Sequence, residues 1–263
     1  MNFLRPLGNT GLQVSALGLG TVKFGRNAGV KYPAAFALPD DNTIRTLLAV
    51  ARELKINVLD TAPAYGSSEE RIGQLLGNRH DWRLVTKVGE EFDGTHSQFD
   101  FSANHTRFSI ERSLQRLRTD YLDVVLIHSD GNDEAILRDS GCLPMLRECQ
   151  ERGLIRAIGM SAKTDAGGAL AAELLDVVMV TYNLQQQDRC AVQSALALNK
   201  GVLVKKGLMS GHVQTTAADT AQDPVRDSMN TVLGNNAIHS MIVGTLNAGH
   251  LRRNVELALA ALG

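Results

Sequence analysis

Cysteine is scarce. The chain holds three, Cys142, Cys149 and Cys190, an odd number with no Cys-x-x-Cys spacing. That excludes a disulfide framework and points to a reducing, cytoplasmic setting in which each thiol is a small buried apolar group. Proline is sparse too, six residues in 263, so no proline-rich linker divides the chain. Neither sign of charge dominates, since 27 basic side chains against 28 acidic ones leave a net charge of −1. A basic surface for nucleic acid is therefore not expected. No apolar run in the sequence reaches a membrane span, which takes ~18 residues or more. The opening MNFLRPLGNTG also lacks the charged and then apolar regions of a secretory leader.

What is present reads as a globular α/β chain, 44% hydrophobic and 21% charged. Short apolar runs at 15–19, 57–60, 83–87, 123–128, 155–160, 177–181, 202–204 and 240–243 suit strands buried on both faces. Helical spacing recurs at 41–54, 109–117, 141–152, 166–174, 187–199 and 247–262, and Ser67-Ser68-Glu69-Glu70 has the pattern of a capping box. Strand–helix alternation throughout, with no internal repeat, predicts one (β/α)8 TIM barrel domain over 1–263. The segments 3–7 and 12–17 flank Gly8-Asn9-Thr10-Gly11, as a β-hairpin would, and that hairpin is expected to cover the barrel bottom. Long irregular stretches remain at 23–40 and 211–224.

Chemistry on a barrel sits at the carboxyl ends of its strands. Three consecutive strands end in ionisable residues there: Asp60, Lys87 and His128. Ser161 and the Tyr182-Asn183 pair follow at the next two ends, and Tyr65 lies five residues past Asp60. A lysine held by a carboxylate favours phenolate over phenol, so Lys87 is expected to lower the pKa of Tyr65. Such a tyrosine gives a proton to a carbonyl oxygen while His128 orients that oxygen. The matching hydride must come from a nicotinamide cofactor, because no side chain supplies one.

At these residues the sequence resembles the aldo-keto reductases, nearly end to end. RPLGNTGLQVSALGLGT resembles the family's hairpin and first strand, and LDTAPAYGSSEERIGQLL its most specific signature. LVTKVG, YLDVVLIHSD, GLIRAIGMS and IVGTLNAGHLRRN follow in family order. The resemblance implies NAD(P)H-dependent reduction of a small-molecule aldehyde or ketone. Tyr65 would donate the proton, Lys87 would tune it, Asp60 would hold Lys87 and touch the nicotinamide ribose, and His128 would orient the carbonyl. Gly20 and Thr21 would line the ribose, and Ser161 would meet the carboxamide. Gly207, Leu208, Ser210 and Gly211 would face the pyrophosphate. Gly244, Thr245, Asn247, His250 and Asn254 would hold the adenosine end.

Several positions depart from the family pattern. Ala162 stands for Asn, Met179 for Gln, Lys205 for a stacking aromatic and His250 for a phosphate-binding Arg. Met179 and Lys205 are still counted with the cofactor-binding positions. Lys205 and Lys206 are either phosphate ligands or a solvated pair. A modest preference for NADPH over NADH is expected from the resemblance and the basic residues at 250, 252 and 253. The chain also stops just after the last helix, so a wide mouth is expected, with selectivity in 23–40, 90–103, 129–140 and 211–224. A monomer is the default.

Other motifs point elsewhere less strongly. Gly18-Leu19-Gly20 lacks the third glycine of a dinucleotide fingerprint. Asp130, Asp133 and Glu134 read as a solvated loop, with no metal expected. Trp82 reads as packing, while Phe92, Phe99 and Phe101 are either mouth or anchor residues. A non-catalytic nicotinamide-binding regulator is the competing reading, motivated by the missing Gln and aromatic. The complete Asp60, Tyr65, Lys87 and His128 set argues against it.

Overall fold

The computed structural model describes residues 3–214 and 223–263. Its first element is the expected hairpin, β1 (Leu4–Pro6) antiparallel to β2 (Gln13–Ser15). Leu7, Leu12 and Val14 from this hairpin pack against Val58, Val85, Val124 and Leu203 inside the barrel, closing its amino-terminal end. Gly8 makes the closure geometrically feasible: at φ +52 its backbone lies so near Gly201 that a Cβ would sit 2.5 Å from the Gly201 nitrogen.

The barrel begins with β3 (Leu17–Gly20), followed by the short α1 (Val22–Gly25) and α2 (Asp41–Glu53). β4 (Val58–Asp60), α3 (Ser68–Leu75) and β5 (Arg83–Val88) come next. A second hairpin, β6 (Glu90–Phe92) with β7 (Ser97–Phe99), then leaves the barrel before α4 (Ala103–Leu117). The pattern resumes with β8 (Leu122–His128), α5 (Asp133–Asp139), α6 (Cys142–Glu151) and β9 (Ile155–Ser161). It ends with α7 (Asp165–Leu174), β10 (Val177–Thr181), α8 (Arg189–Ala197), β11 (Gly201–Lys205), α9 (Pro224–Leu233), β12 (Ser240–Val243) and α10 (Ala248–Leu262).

Eight parallel strands close in the order β3-β4-β5-β8-β9-β10-β11-β12. Their apolar residues are buried on both faces: the inner ones meet the hairpin, and the outer ones meet the helices, where Ile44, Leu47, Ile72 and Leu146 pack. Parallel register puts all eight carboxyl ends at one rim, away from the hairpin plug. Among the described residues no helix is long and apolar enough to cross a membrane.

Local expectations fail where side chains find better partners. The capping box does not form: Ser67 makes no cap, and Glu69 turns inward to accept from Thr86 Oγ1 at 2.6 Å. The fourth helix starts six residues earlier than its apolar spacing suggests, because Ser102 caps it by accepting from His105 N. Residues 90–103 contain a hairpin and 129–140 contain α5. Within 211–224, residues 215–222 lie outside the described residues. Cys142 and Cys149 are buried as expected, but Cys190 is exposed on α8.

Candidate active site

β4 ends at Asp60, β5 carries Lys87 one residue before its end, and β8 ends at His128, so the three ionisable side chains share one rim. Lys87 Nζ donates to Asp60 Oδ1 at 2.6 Å and to the Thr61 carbonyl at 2.8 Å. Tyr65 returns to this rim through a single tight turn over Pro63–Tyr65, closed by Tyr65 N donating to the Ala62 carbonyl. The Lys87 ammonium stands 4.8 Å from the Tyr65 ring centroid. The Tyr65 ring also meets His128 edge to face, centroids 6.3 Å apart. Two glycines lock that turn against the end of α1. A Cβ on Gly66 would lie 2.2 Å from the Gly25 carbonyl oxygen, and one on Gly25 would lie 2.4 Å from the Tyr65 carbonyl oxygen.

Two residues that sequence reasoning missed complete the rim. Glu90, at the start of β6, places Oε2 2.8 Å from His128 Nδ1. Its Oε1 accepts from Ser97 Oγ at 2.6 Å and lies 3.6 Å from Arg26 Nη1. Arg26 in turn donates to the Ala64 carbonyl and covers the Phe92 ring at 3.5 Å. A carboxylate three residues past Lys87 was a usable signal, but it fell in a stretch assigned only to substrate selectivity.

The rim opens into a cavity of about 420 Å³. Asp60, Tyr65, Lys87 and His128 all line it. So do Gly20, Ser161, Met179 and Lys205 from other strand ends, and Leu208, Ser210, Gly211 and Gly244 from the following turns. Lys31, Tyr32, Lys163 and Lys206 line it as well. A Cβ on Gly244 would sit 3.4 Å from the Tyr32 hydroxyl. Among the described residues, none of Lys31, Lys163, Lys205 and Lys206 forms an ion pair. Backbone strain gathers on the same wall: Lys206, Met209 and Ser210 all take positive φ. Such conformations cost ~1–3 kcal/mol each and concentrate at ligand sites.

The remaining candidates lie outside this lining. Thr21 Oγ1 donates to the Asp60 carbonyl and accepts from Ser68 Oγ, so it braces β3 against β4. A Cβ on Gly207 would lie 2.4 Å from Met241 Cε, which makes Gly207 a packing position. Asn247 caps α10 by accepting from His250 N, and Thr245 Oγ1 accepts from Asn247 N. Asn254 is buried on the same helix. Arg252 and Arg253 already have partners, Glu53 Oε2 at 2.8 Å and Asp223 Oδ2 at 2.6 Å. Two of the three basic residues behind the expected NADPH preference are thus committed elsewhere.

Electrostatics corrects one expectation directly. The Tyr65 phenol is pushed well above its ordinary pKa by burial, then by Asp60, Glu90 and Tyr32, with Arg26 opposing. A phenol raised in this way stays protonated at neutral pH. Burial also acts on Glu90, in the upward direction, yet His128, Ser97 and Arg26 hold it down at about 2. His128 is lowered by burial, against the pull of Glu90. Lys205 is pushed down to about 7 by burial and then by Lys206. Its amine donates to Ser161 Oγ at 2.9 Å and to the Ala162 carbonyl, reaching across β10 over Met179.

Asp133 does not sit in a solvated loop. It is buried and accepts from Thr164 N and Oγ1 at 2.7 Å, fixing the turn that carries Lys163. Trp82 is buried packing. Phe99 stacks on Phe101, and Phe92 takes Arg26, so these three anchor the second hairpin. Among the described residues no group of three His, Cys, Asp or Glu is placed to hold a metal ion.

The chain is similar to known proteins along its whole length. It superposes on PA4992 from Pseudomonas aeruginosa, assigned to the aldo-keto reductases, with a TM-score of 0.89 and 50% identity over 100% of this chain and 97% of that one. The aldo-keto reductase AKR11C1 from Bacillus halodurans shares the fold, with a TM-score of 0.81 at 22% identity over 97% of this chain and 90% of that one. An L-galactose dehydrogenase of Arabidopsis thaliana is 37% identical over 60% of this chain, a match that spans 48% of that relative's length. The Bacillus subtilis oxidoreductase YqkF is 27% identical over 97% of this chain and 91% of its own. The model of the aldo/keto reductase family matches residues 16–262, and the chain belongs to that family.

Proposed function

We propose that this protein, acting as a single barrel domain, reduces an aldehyde or ketone to an alcohol with NAD(P)H, and that Tyr65 donates the proton. One observation carries the reading: a half-buried tyrosine shares a strand-end cavity with a buried lysine–carboxylate pair and a histidine.

The residues divide the work. A bound reduced nicotinamide supplies the hydride to the carbonyl carbon. Tyr65 Oη gives its proton to the carbonyl oxygen as negative charge gathers there. The phenolate left behind has its ring 4.8 Å from the Lys87 ammonium, which Asp60 and the Thr61 carbonyl hold in place. His128 lies beside the same oxygen and helps orient it. Lys31, Lys163 and Lys206, without carboxylate partners among the described residues, suit the phosphates of a dinucleotide, as do the strained turn at 206–211 and its Gly211. These features support an anionic cofactor, and the Asp60, Tyr65, Lys87 and His128 set favours turnover over a purely regulatory role. NADPH is the preferred form in this reading, with NADH also accepted.

The experiment is multiple-turnover oxidation of NADPH against a panel of aldehydes, followed by absorbance. Sustained turnover with at least one aldehyde is expected. Tight cofactor binding without turnover on any of them would favour the regulator instead.

A further inference from the structure

We propose that Glu90 is a positioning residue that holds His128 as its Nδ1–H tautomer, so that Nε2 is a hydrogen-bond acceptor until the ring takes a second proton. His128 Nδ1 is buried, and its near neighbour is Glu90 Oε2 at 2.8 Å. A bare ring nitrogen so close to a carboxylate oxygen would set lone pair against lone pair. Nδ1 therefore carries the hydrogen. The N–H bond is not aimed squarely at the oxygen, so the pair is a close polar contact and not a full hydrogen bond.

The carboxylate is itself fixed. Ser97 Oγ and Arg26 hold Oε1, and Arg26 is tied to the turn that carries Tyr65, which leaves Oε2 for the ring. With Nδ1 turned to Glu90, Nε2 is the nitrogen left to the cavity that His128 lines. Other charges bear on the ring from three directions. Glu90 on β6 favours the imidazolium, while Lys87 on β5 and Lys205 on β11 disfavour it, and Tyr65 meets the ring edge-on.

This tautomer gives the site a direction that depends on proton concentration. A neutral ring offers no N–H to a carbonyl oxygen, so only the imidazolium orients an aldehyde. The neutral ring instead accepts from the hydroxyl of an alcohol. Reduction therefore uses the protonated ring and weakens as pH rises, whereas oxidation of the alcohol uses the bare nitrogen and strengthens. The role of Nε2 rests on the proposed carbonyl chemistry, but the tautomer does not.

The test is long-range proton–nitrogen correlation on protein labelled with ¹⁵N-histidine, over pH 4–9, with His128 assigned through His128→Gln. The neutral ring is expected to show a protonated Nδ1 and an unprotonated Nε2. In Glu90→Gln the ring is expected to titrate lower by about one pH unit or more, with its neutral form shifted toward Nε2–H. In parallel, kcat/KM for aldehyde reduction is expected to fall about tenfold per pH unit above the ring's pKa, with that limb moved down in Glu90→Gln. An Nε2–H tautomer in the unaltered protein, or an unchanged titration in Glu90→Gln, would overturn the proposal. Should Glu90→Gln fail to fold, the spectrum of the unaltered protein alone decides the tautomer. A ring in the expected tautomer on a protein that turns over no carbonyl would refute the reductase reading and leave the role of Glu90 standing.

Discussion

Lys87 Nζ lies 2.6 Å from Asp60 Oδ1, with both side chains buried at the mouth of the barrel. Breaking such a pair strands one charge where water cannot reach it. Lys87→Met is therefore expected to cost about 3–5 kcal/mol of stability as well as activity. Urea unfolding checks this, and adding Asp60→Leu to the same protein should restore part of the stability while leaving activity absent.

Gly66 and Gly25 cross so closely that neither accepts a side chain. Gly66→Ala must move the turn that presents Tyr65, and a displacement of about 1 Å at a reacting group can lower turnover about 100-fold. Far-UV circular dichroism should remain that of the barrel while aldehyde reduction falls by that factor. Retained turnover would mean that the turn does not set the phenol's position.

The half-buried Lys205 amine is pushed down to about 7 by desolvation and then by Lys206. A cation present at pH 6 is thus gone at pH 8, so affinity for an anionic dinucleotide should fall as pH rises. One charge worth ~1 kcal/mol corresponds to about a fivefold change in Kd. Fluorescence titration with NADPH at the two pH values checks it, and in Lys205→Met the dependence should flatten.

Arg252 and Arg253 are exposed and paired with Glu53 and Asp223. Exposed pairs contribute about 0–1 kcal/mol, and these two guanidinium groups lie outside the cavity lining. Replacing either by alanine should change the ratio of NADPH to NADH affinity by less than about twofold. A larger change would return them to the cofactor site.

The barrel and the strand-end residues were legible because each is a local pattern. Asp60, Lys87 and His128 each follow an apolar run, and parallel closure does the rest. The hairpin plug was legible from one glycine-rich turn. What stayed hidden depends on contacts between distant segments. Glu90 meets His128 only because an unforeseen hairpin folds over the rim, and Arg252 meets Glu53 across 199 residues. The direction of the Tyr65 shift was misjudged for a related reason: burial comes first, and Asp60 and Glu90, brought in by other segments, push the phenol the same way.

The most direct measurement compares Tyr65→Phe with the unaltered protein, in NADPH binding by fluorescence and in single-turnover aldehyde reduction. With Tyr65 as the acid, binding is expected to persist while reduction falls by about 10²–10⁴. Reduction at the unaltered rate in Tyr65→Phe would contradict the account.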